Sequence, residues 1–271
     1  MTVRAAIAAA AARFGFSPTA RLDAELLMAH ALGVSREAML LGRLSDSVPA
    51  GFAVLVERRV RHEPVAYLTG TRAFWTIDLA VEPGVLVPRA DSETLIEAAV
   101  AHFGGTPGPS SVLDLGTGSG ALLLAALAEW PGARGIGLDA SEAAIRVARG
   151  NARRLGMEDR ARIERGGWEG TGDPHDLILC NPPYIATTAD LPEEVRAHEP
   201  ASALFAGLDG LDDYRRLAPG LSAQLAPGGV ACIEIGADQG GSAAALFRRE
   251  GLTVRIRQDL GRRDRCLVVT T

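Results

Sequence analysis

Cysteine is scarce here, and its placement argues against two classes of protein at once. Of 271 residues only three are cysteine, Cys180, Cys232 and Cys266, far apart and each inside an apolar run. No Cys-x-x-Cys or His–Cys spacing occurs, so neither a disulfide framework nor a metal site is expected, and the thiols read as buried and reduced. Aromatic residues make up only 5% of the chain, so the core must be largely aliphatic. Positive charge is not in excess: the net charge is −5 and the pI is near 5.6. A global basic field for a phosphate backbone is therefore missing, and stable nucleic-acid binding is not expected. No apolar run is long enough to span a bilayer. The alanine-rich stretch from Thr2 to Arg13 lacks the leucine-type run of a secretory signal and reads as a surface helix. A cytoplasmic protein is expected.

What the chain does contain falls into two patterns. Residues 1–72 are punctuated as short helices. Ser17-Pro18 opens one that Gly33 closes, Ser35 caps another ending at Gly42, and Pro49 opens a third that Pro64 stops. Arg58, Arg59, Arg61 and His62 crowd the last turn of that third helix, which suits its dipole and reads as a solvated helix end. His30 and His62 read as packing or surface residues. With no catalytic-looking cluster, this region reads as a docking domain. Residues 73–90 read as a β-hairpin linker. Phe74 to Val81 form one strand, Glu82-Pro83-Gly84 the turn, and Val85 to Val87 the other strand. Asp91, Ser92 and Glu93 then open a helix.

From Ser111 onward strands and helices alternate, the pattern of a mostly parallel α/β sheet. Val112 to Leu115 is its first strand. The loop Gly116-Thr117-Gly118-Ser119-Gly120 follows, then a helix. Glycines in such a loop let the backbone approach a ligand, and the helix amino terminus favours an anion. The next strand ends in Asp139, roughly 20–25 residues past the loop, where a carboxylate can bind a ribose diol. Loop and acid together favour an adenosine-type ligand. Trp168 can flank an adenine ring or simply pack at the rim.

The stretch Asp176-Leu177-Ile178-Leu179-Cys180-Asn181-Pro182-Pro183-Tyr184 is a second functional candidate. The apolar run reads as a buried strand, and the two prolines end it because neither has an N–H to give to a ladder. Asn181 therefore sits at the strand's carboxyl end, where open α/β sheets bind ligands. The Asn181 amide oxygen and the stiffened Pro182 carbonyl can accept the two hydrogens of a planar –NH2 group, and Tyr184 can stack on its plane. The alternative is a proline-rich turn with Tyr184 as ordinary packing. Beyond Tyr184 comes a long insert, broken at Glu199-Pro200. Two closing strands look like an antiparallel hairpin at the sheet edge.

Asp114-Leu115-Gly116-Thr117-Gly118-Ser119-Gly120, Asp139 and Asn181-Pro182-Pro183-Tyr184 resemble the class I S-adenosylmethionine-dependent methyltransferases that modify planar amino groups. Glu63 to Gly70, Leu86-Val87-Pro88-Arg89 with Asp91-Ser92-Glu93, and Glu199-Pro200 with Ala203-Leu204 narrow the resemblance to the release factor glutamine methyltransferases. The resemblance covers nearly the whole chain. It implies a Rossmann-like methyltransferase domain over 91–271, with a mostly parallel seven-stranded sheet and an antiparallel last strand. It implies S-adenosyl-L-methionine as cofactor and the Gly-Gly-Gln glutamine of class I peptide chain release factors as substrate. Gly116, Thr117, Gly118, Ser119, Gly120, Asp139, Trp168 and Asn181 would contact the cofactor. Asn181, Pro182, Pro183 and Tyr184 would contact the glutamine, with Asn181, Pro182 and Tyr184 catalytic. An adenine-N6 or ribosomal-protein methyltransferase is the nearest alternative. Two departures stand out: Ala90 replaces the usual proline after Pro88-Arg89, and Gly167 replaces an acidic residue before Trp168. The second removes a side-chain contact to the adenine amino group, for which a backbone carbonyl or Glu169 can substitute.

Overall fold

The computed structural model describes residues 1–271 and divides into two compact units. The first holds Met1–Thr71 together with Leu191–His198. Its helices are α1 (Val3–Arg13), α2 (Ala20–Leu32), α3 (Arg36–Gly42), α4 (Phe52–Val60) and α5 (Val65–Thr69). The starts of α1 and α3 are set by side-chain caps: Thr2 accepts the Ala5 N–H and Ser35 the Ala38 N–H. Such a cap is worth about 1 kcal/mol over alanine. Gly33 ends α2 in the left-handed conformation, φ 66°, which a glycine adopts without a Cβ clash. The apolar faces meet in one core around Val3, Ile7, Phe14, Leu27, Met28, Met39, Phe52 and Val56.

One expectation about this unit fails. The end of α4 is not wholly solvated, because Arg59 is only 3% exposed. Its guanidinium meets Asp23 at 2.8 Å and Glu194 at 2.7 Å, and lies 4.9 Å from the centre of the Phe16 ring. A buried cation needs such partners, since desolvation alone costs several kcal/mol. Lysine is absent from the chain, so a planar guanidinium makes this contact, as it does the other Arg–carboxylate pairs.

The second unit holds Arg72–Asp190 and Glu199–Thr271. It opens with a hairpin, β1 (Thr71–Phe74) and β2 (Ile77–Ala80), whose turn lies at Trp75-Thr76 rather than at Glu82-Pro83-Gly84. Trp75 takes a left-handed φ of 53°, and the Glu93 carboxylate accepts its N–H at 2.9 Å. The second strand expected at Val85–Val87 does not form. Asn151 takes its place as a partner: its side-chain oxygen accepts the Ala80 N–H at 2.7 Å and its amide donates to the Ala80 carbonyl at 3.0 Å. A side chain thus satisfies backbone groups that a third strand would have paired.

The remaining elements are α6 (Glu93–His102), β3 (Ser111–Leu115), α7 (Ala121–Glu129), β4 (Arg134–Asp139), α8 (Glu142–Arg154), β5 (Ala161–Arg165), β6 (His175–Cys180), α9 (Glu193–His198), α10 (Asp212–Gln224), β7 (Leu225–Glu234), α11 (Gly240–Arg249), β8 (Thr253–Gln258) and β9 (Asp264–Thr270). Of these, α9 belongs to the first unit and interrupts the stretch that reads from sequence as a plain insert. The seven-stranded sheet runs β5-β4-β3-β6-β7-β9-β8. Its first five strands pair in parallel. β9 is antiparallel to both neighbours, as the sequence pattern predicts. One face packs on α6, α7 and α8 through Leu95, Ile96, Leu123, Leu127 and Ile145. The other packs on α10 and α11 through Tyr214, Leu217, Leu221 and Phe247. Burying each such leucine contributes about 1.5–3 kcal/mol. A Cβ at Gly135 would come within 2.4 Å of Leu123, so α7 closes on the sheet only because β4 carries glycine there.

Candidate functional site

The strand order reverses between β3 and β6, which lie side by side with Leu115 opposite Cys180. Loops leaving the carboxyl ends of these strands diverge there and leave a crevice. A cavity of about 620 Å³ occupies this place. The glycine loop forms one wall. Gly116, Gly118 and Gly120 take φ values of 72°, 56° and 84°, a region strained for any residue with a Cβ. Gly116 has a further reason to lack a side chain, since a Cβ there would lie 3.3 Å from the Trp168 ring. Gly116, Thr117, Gly118 and Ser119 line the cavity. Gly120 does not; it opens α7 and faces Leu124 and Ala148.

Two carboxylates fix the loop. Asp114 is fully buried; its Oδ2 accepts the Thr117 hydroxyl at 2.6 Å and the Leu123 N–H at 3.2 Å. Its Oδ1 has no partner. Burial pushes this carboxyl up to about 7, against the pull of those two hydrogen bonds. A cation nearby would restore its charge. Asp139 lies on the cavity wall. Its Oδ2 accepts the Gly118 N–H and its Oδ1 the Ser141 N–H, both at 2.8 Å. Ser141 itself caps α8 through its hydroxyl, so Asp139 is not that helix's only cap.

Trp168 lines the cavity opposite Gly116. Its ring is held from behind: Nε1 donates to Asp213 at 2.9 Å, and Asp213 also takes Arg216 at 3.1 Å. At Gly167 a Cβ would come within 2.7 Å of Glu169 Oε2. The Glu169 carboxylate therefore folds back over the position where the acidic side chain is missing.

Asn181 and Pro183 are on the cavity wall, together with Ser92 and Arg89. The Asn181 amide donates from Nδ2 to Ser92 Oγ at 3.2 Å, and its Oδ1 makes no such bond within the protein. Pro182 is buried, and neither it nor Tyr184 lines the cavity. The Tyr184 hydroxyl turns inward and donates to Glu234 Oε1 at 3.0 Å. Burial first, then the Glu234 charge, pushes the phenol up. Glu234 is 1% exposed and is raised by burial, while the Ser92 and Tyr184 hydroxyls act the other way. Arg89 reaches both oxygens of the buried Glu199 carboxylate at 2.6 Å.

Ser92, Asp213 and Glu234 are absent from the sequence-based site. Ser92 has a sequence signal, its place in Asp91-Ser92-Glu93, but that signal reads as a helix start. Asp213 and Glu234 carry none.

Two family models match the chain: the PrmC N-terminal domain over residues 5–70 and a methyltransferase domain over residues 109–237. The chain is 45% identical to the release factor glutamine methyltransferase of Rhodospirillum rubrum over 255 residues, 92% of this chain and 78% of that one. It is 43% identical to the same-named protein of Caulobacter vibrioides over 91% of this chain and 88% of the relative. The Moorella thermoacetica relative, also so named, is 39% identical over 99% and 98% of the two chains. Among solved structures, a ribosomal protein L11 methylase from Lactobacillus delbrueckii subsp. bulgaricus superimposes with a TM-score of 0.51 at 19% identity, over 70% of this chain and 83% of that one. That likeness concerns the fold alone.

Proposed function

The chain belongs to the release factor glutamine methyltransferases, and from that membership we propose that it transfers a methyl group to the side-chain amide nitrogen of the Gly-Gly-Gln glutamine in class I peptide chain release factors. The observation that carries this reading is Asn181, at the carboxyl end of β6 on the cavity wall, with its amide N–H committed to Ser92. That leaves its oxygen as an acceptor for the N–H of an incoming carboxamide.

The residues present fit S-adenosyl-L-methionine. The unpartnered Asp114 Oδ1, which lies beneath the glycine loop, offers negative charge to the amino group of the methionine part. Asp139 offers its carboxylate to the ribose diol, and Trp168 a flat face to the adenine. Glu169 supplies a carboxylate near the adenine amino group, in place of the side chain that Gly167 lacks. Once bound, the cofactor supplies an electrophilic methyl on a sulfonium.

The protein's part is position and solvent exclusion. Asn181 orients the amide nitrogen and receives the hydrogen bond that strengthens as that nitrogen turns positive. One of the nitrogen's two hydrogens then leaves to solvent. The Pro182 carbonyl, which the resemblance makes a second acceptor, is buried off the cavity wall in this structure, whereas Pro183 lines the wall beside Asn181. No helix is long and apolar enough to cross a membrane; with three buried free thiols, a cytoplasmic setting is the reading that fits.

The test is incubation with isotopically labelled cofactor and a class I release factor, with the methyl located by mass spectrometry. Label on the Gly-Gly-Gln glutamine is the expected result. Label on adenine of added RNA or DNA, or on a ribosomal protein only, would replace this reading. The Glu169 role has its own outcome. Glu169→Ala weakens cofactor binding by about fivefold, the worth of one partly exposed charge-assisted hydrogen bond. An unchanged calorimetric Kd assigns the adenine amino group to a backbone carbonyl instead.

A further inference from the structure

We propose that Arg89 is the contact for the substrate's main chain: the buried Glu199 carboxylate holds its guanidinium through one nitrogen, and the remaining N–H donors serve a main-chain carbonyl of the two glycines that precede the glutamine. This rests on the function proposed above.

The chain closes a ring about Asn181. On one side Ser92, whose Oγ accepts the Asn181 amide at 3.2 Å, donates its backbone N–H to the Arg89 carbonyl at 3.1 Å. On the other, Ile185, the residue after Tyr184, bridges to Phe205. Its N–H reaches the Leu204 carbonyl and its carbonyl takes the Ala206 N–H, both at 2.9 Å. The Arg89–Glu199 pair joins the two sides, because Glu199 opens the segment that leads through a short 3-10 turn, Ala201–Ala203, to Phe205. Pro88, Arg89, Pro200, Ser202, Ala203 and Phe205 of this ring line the cavity, and Arg89 alone among them is charged. When a glutamine is seated on Asn181, its neighbours in the substrate chain meet these surfaces. Those neighbours are glycines, which offer nothing but backbone N–H and C=O groups.

Arg89 is suited to a carbonyl. Its Nη2 alone reaches both oxygens of Glu199. The N–H groups of Nε and Nη1 make no such bond within the protein, and a guanidinium can only donate. The Glu199 side chain is fully buried while that of Arg89 is 38% exposed, so the pair is rooted in the fold and open at its guanidinium end. The buried carboxylate cancels the charge of the guanidinium. A lone cation would be repelled by the sulfonium and would draw in an anion, whereas a cancelled one stays a strong donor and suits a neutral peptide carbonyl. The Glu199 contact has already restricted the long side chain, so less freedom is lost when substrate binds. A lysine is no equivalent, because a compact ammonium lacks the planar fork that serves two acceptors in fixed directions.

The experiment uses the full chain with Arg89→Lys, and with Arg89→Gln and Glu199→Gln combined, which removes the guanidinium without leaving the buried carboxylate short of its partner. Steady-state methylation of a class I release factor gives KM and kcat, and calorimetry with S-adenosyl-L-homocysteine gives the affinity of the cofactor site. In both variants the KM for the release factor rises about 10- to 100-fold, the worth of one charge-assisted hydrogen bond, while kcat changes by less than about threefold and the calorimetric Kd by less than about twofold. A contact equally strong before and during the reaction has this signature. A merely structural role would lower kcat or weaken the cofactor along with it. An unchanged KM in either folded variant overturns the proposal. So does a Kd that rises while KM holds, which would give Arg89 to the carboxylate of the cofactor's methionine part. A parent that leaves the release factor unmethylated overturns the proposed function, and this contact with it, before any variant is compared. Should the combined variant fail to fold, Arg89→Lys decides alone.

Discussion

Asn181→Ala lowers turnover on the Gly-Gly-Gln glutamine by about 100- to 1,000-fold and leaves the cofactor Kd within about threefold. An acceptor aimed at charge that develops only in the transition state is worth about 2.7–4 kcal/mol when removed. A neutral amide is a weak nucleophile, so it depends on such help more than an amine would. In the role proposed for it, the Asn181 oxygen makes its strongest contact only once the nitrogen has begun to turn positive, so the loss is expected in kcat. Single-turnover kinetics with saturating release factor, beside calorimetry with the cofactor alone, separates the two quantities. A variant that turns over at the parent rate removes Asn181 from the chemistry.

The second large effect is on binding. Asp139→Ala raises the cofactor Kd by about 100-fold. Two contributions add: the hydrogen bonds a carboxylate makes to a ribose diol, at about 1.5–3 kcal/mol for charged partners, and the loss of the anchor that the Gly118 N–H finds at 2.8 Å. The loop would then be looser as well as one contact poorer. Titration calorimetry decides it, and an unchanged Kd would mean that Asp139 serves the loop alone. The expected pattern is thus crossed, with Asn181 governing rate and Asp139 governing affinity.

The parts of the molecule that could be read in advance are those whose causes are local. The glycine loop, the strand ends at Asp139 and Cys180 and the alternation after Ser111 all follow from periodicity and from residues that permit or forbid backbone angles. Helix starts at Thr2 and Ser35 follow from one side chain reaching three residues on. What escaped depends on residues distant in sequence. The hairpin's place differs from the pattern because Asn151, 71 residues away from Ala80, supplies the hydrogen bonds beside β2. Local sequence makes Arg59 look solvated because its partners Asp23 and Glu194 lie 36 and 135 residues off. Glu234 carries no motif at all; only the fold brings it to Tyr184, 50 residues earlier. The Asn-Pro-Pro-Tyr segment shows the limit within a single motif. Proline chemistry predicts where the chain leaves the sheet, but not that the Tyr184 hydroxyl turns inward.

The strand order has a consequence for synthesis. β9 is made after the other eight strands, yet it lies inside the sheet between β7 and β8. While the ribosome is still adding those residues, β7 has an open flank and β8 has no neighbour at all. Exposed flanks of this kind invite pairing with other chains. The sheet of a nascent copy therefore stays split until β9 has been made, and a stop before Asp264 would leave it divided rather than merely shortened.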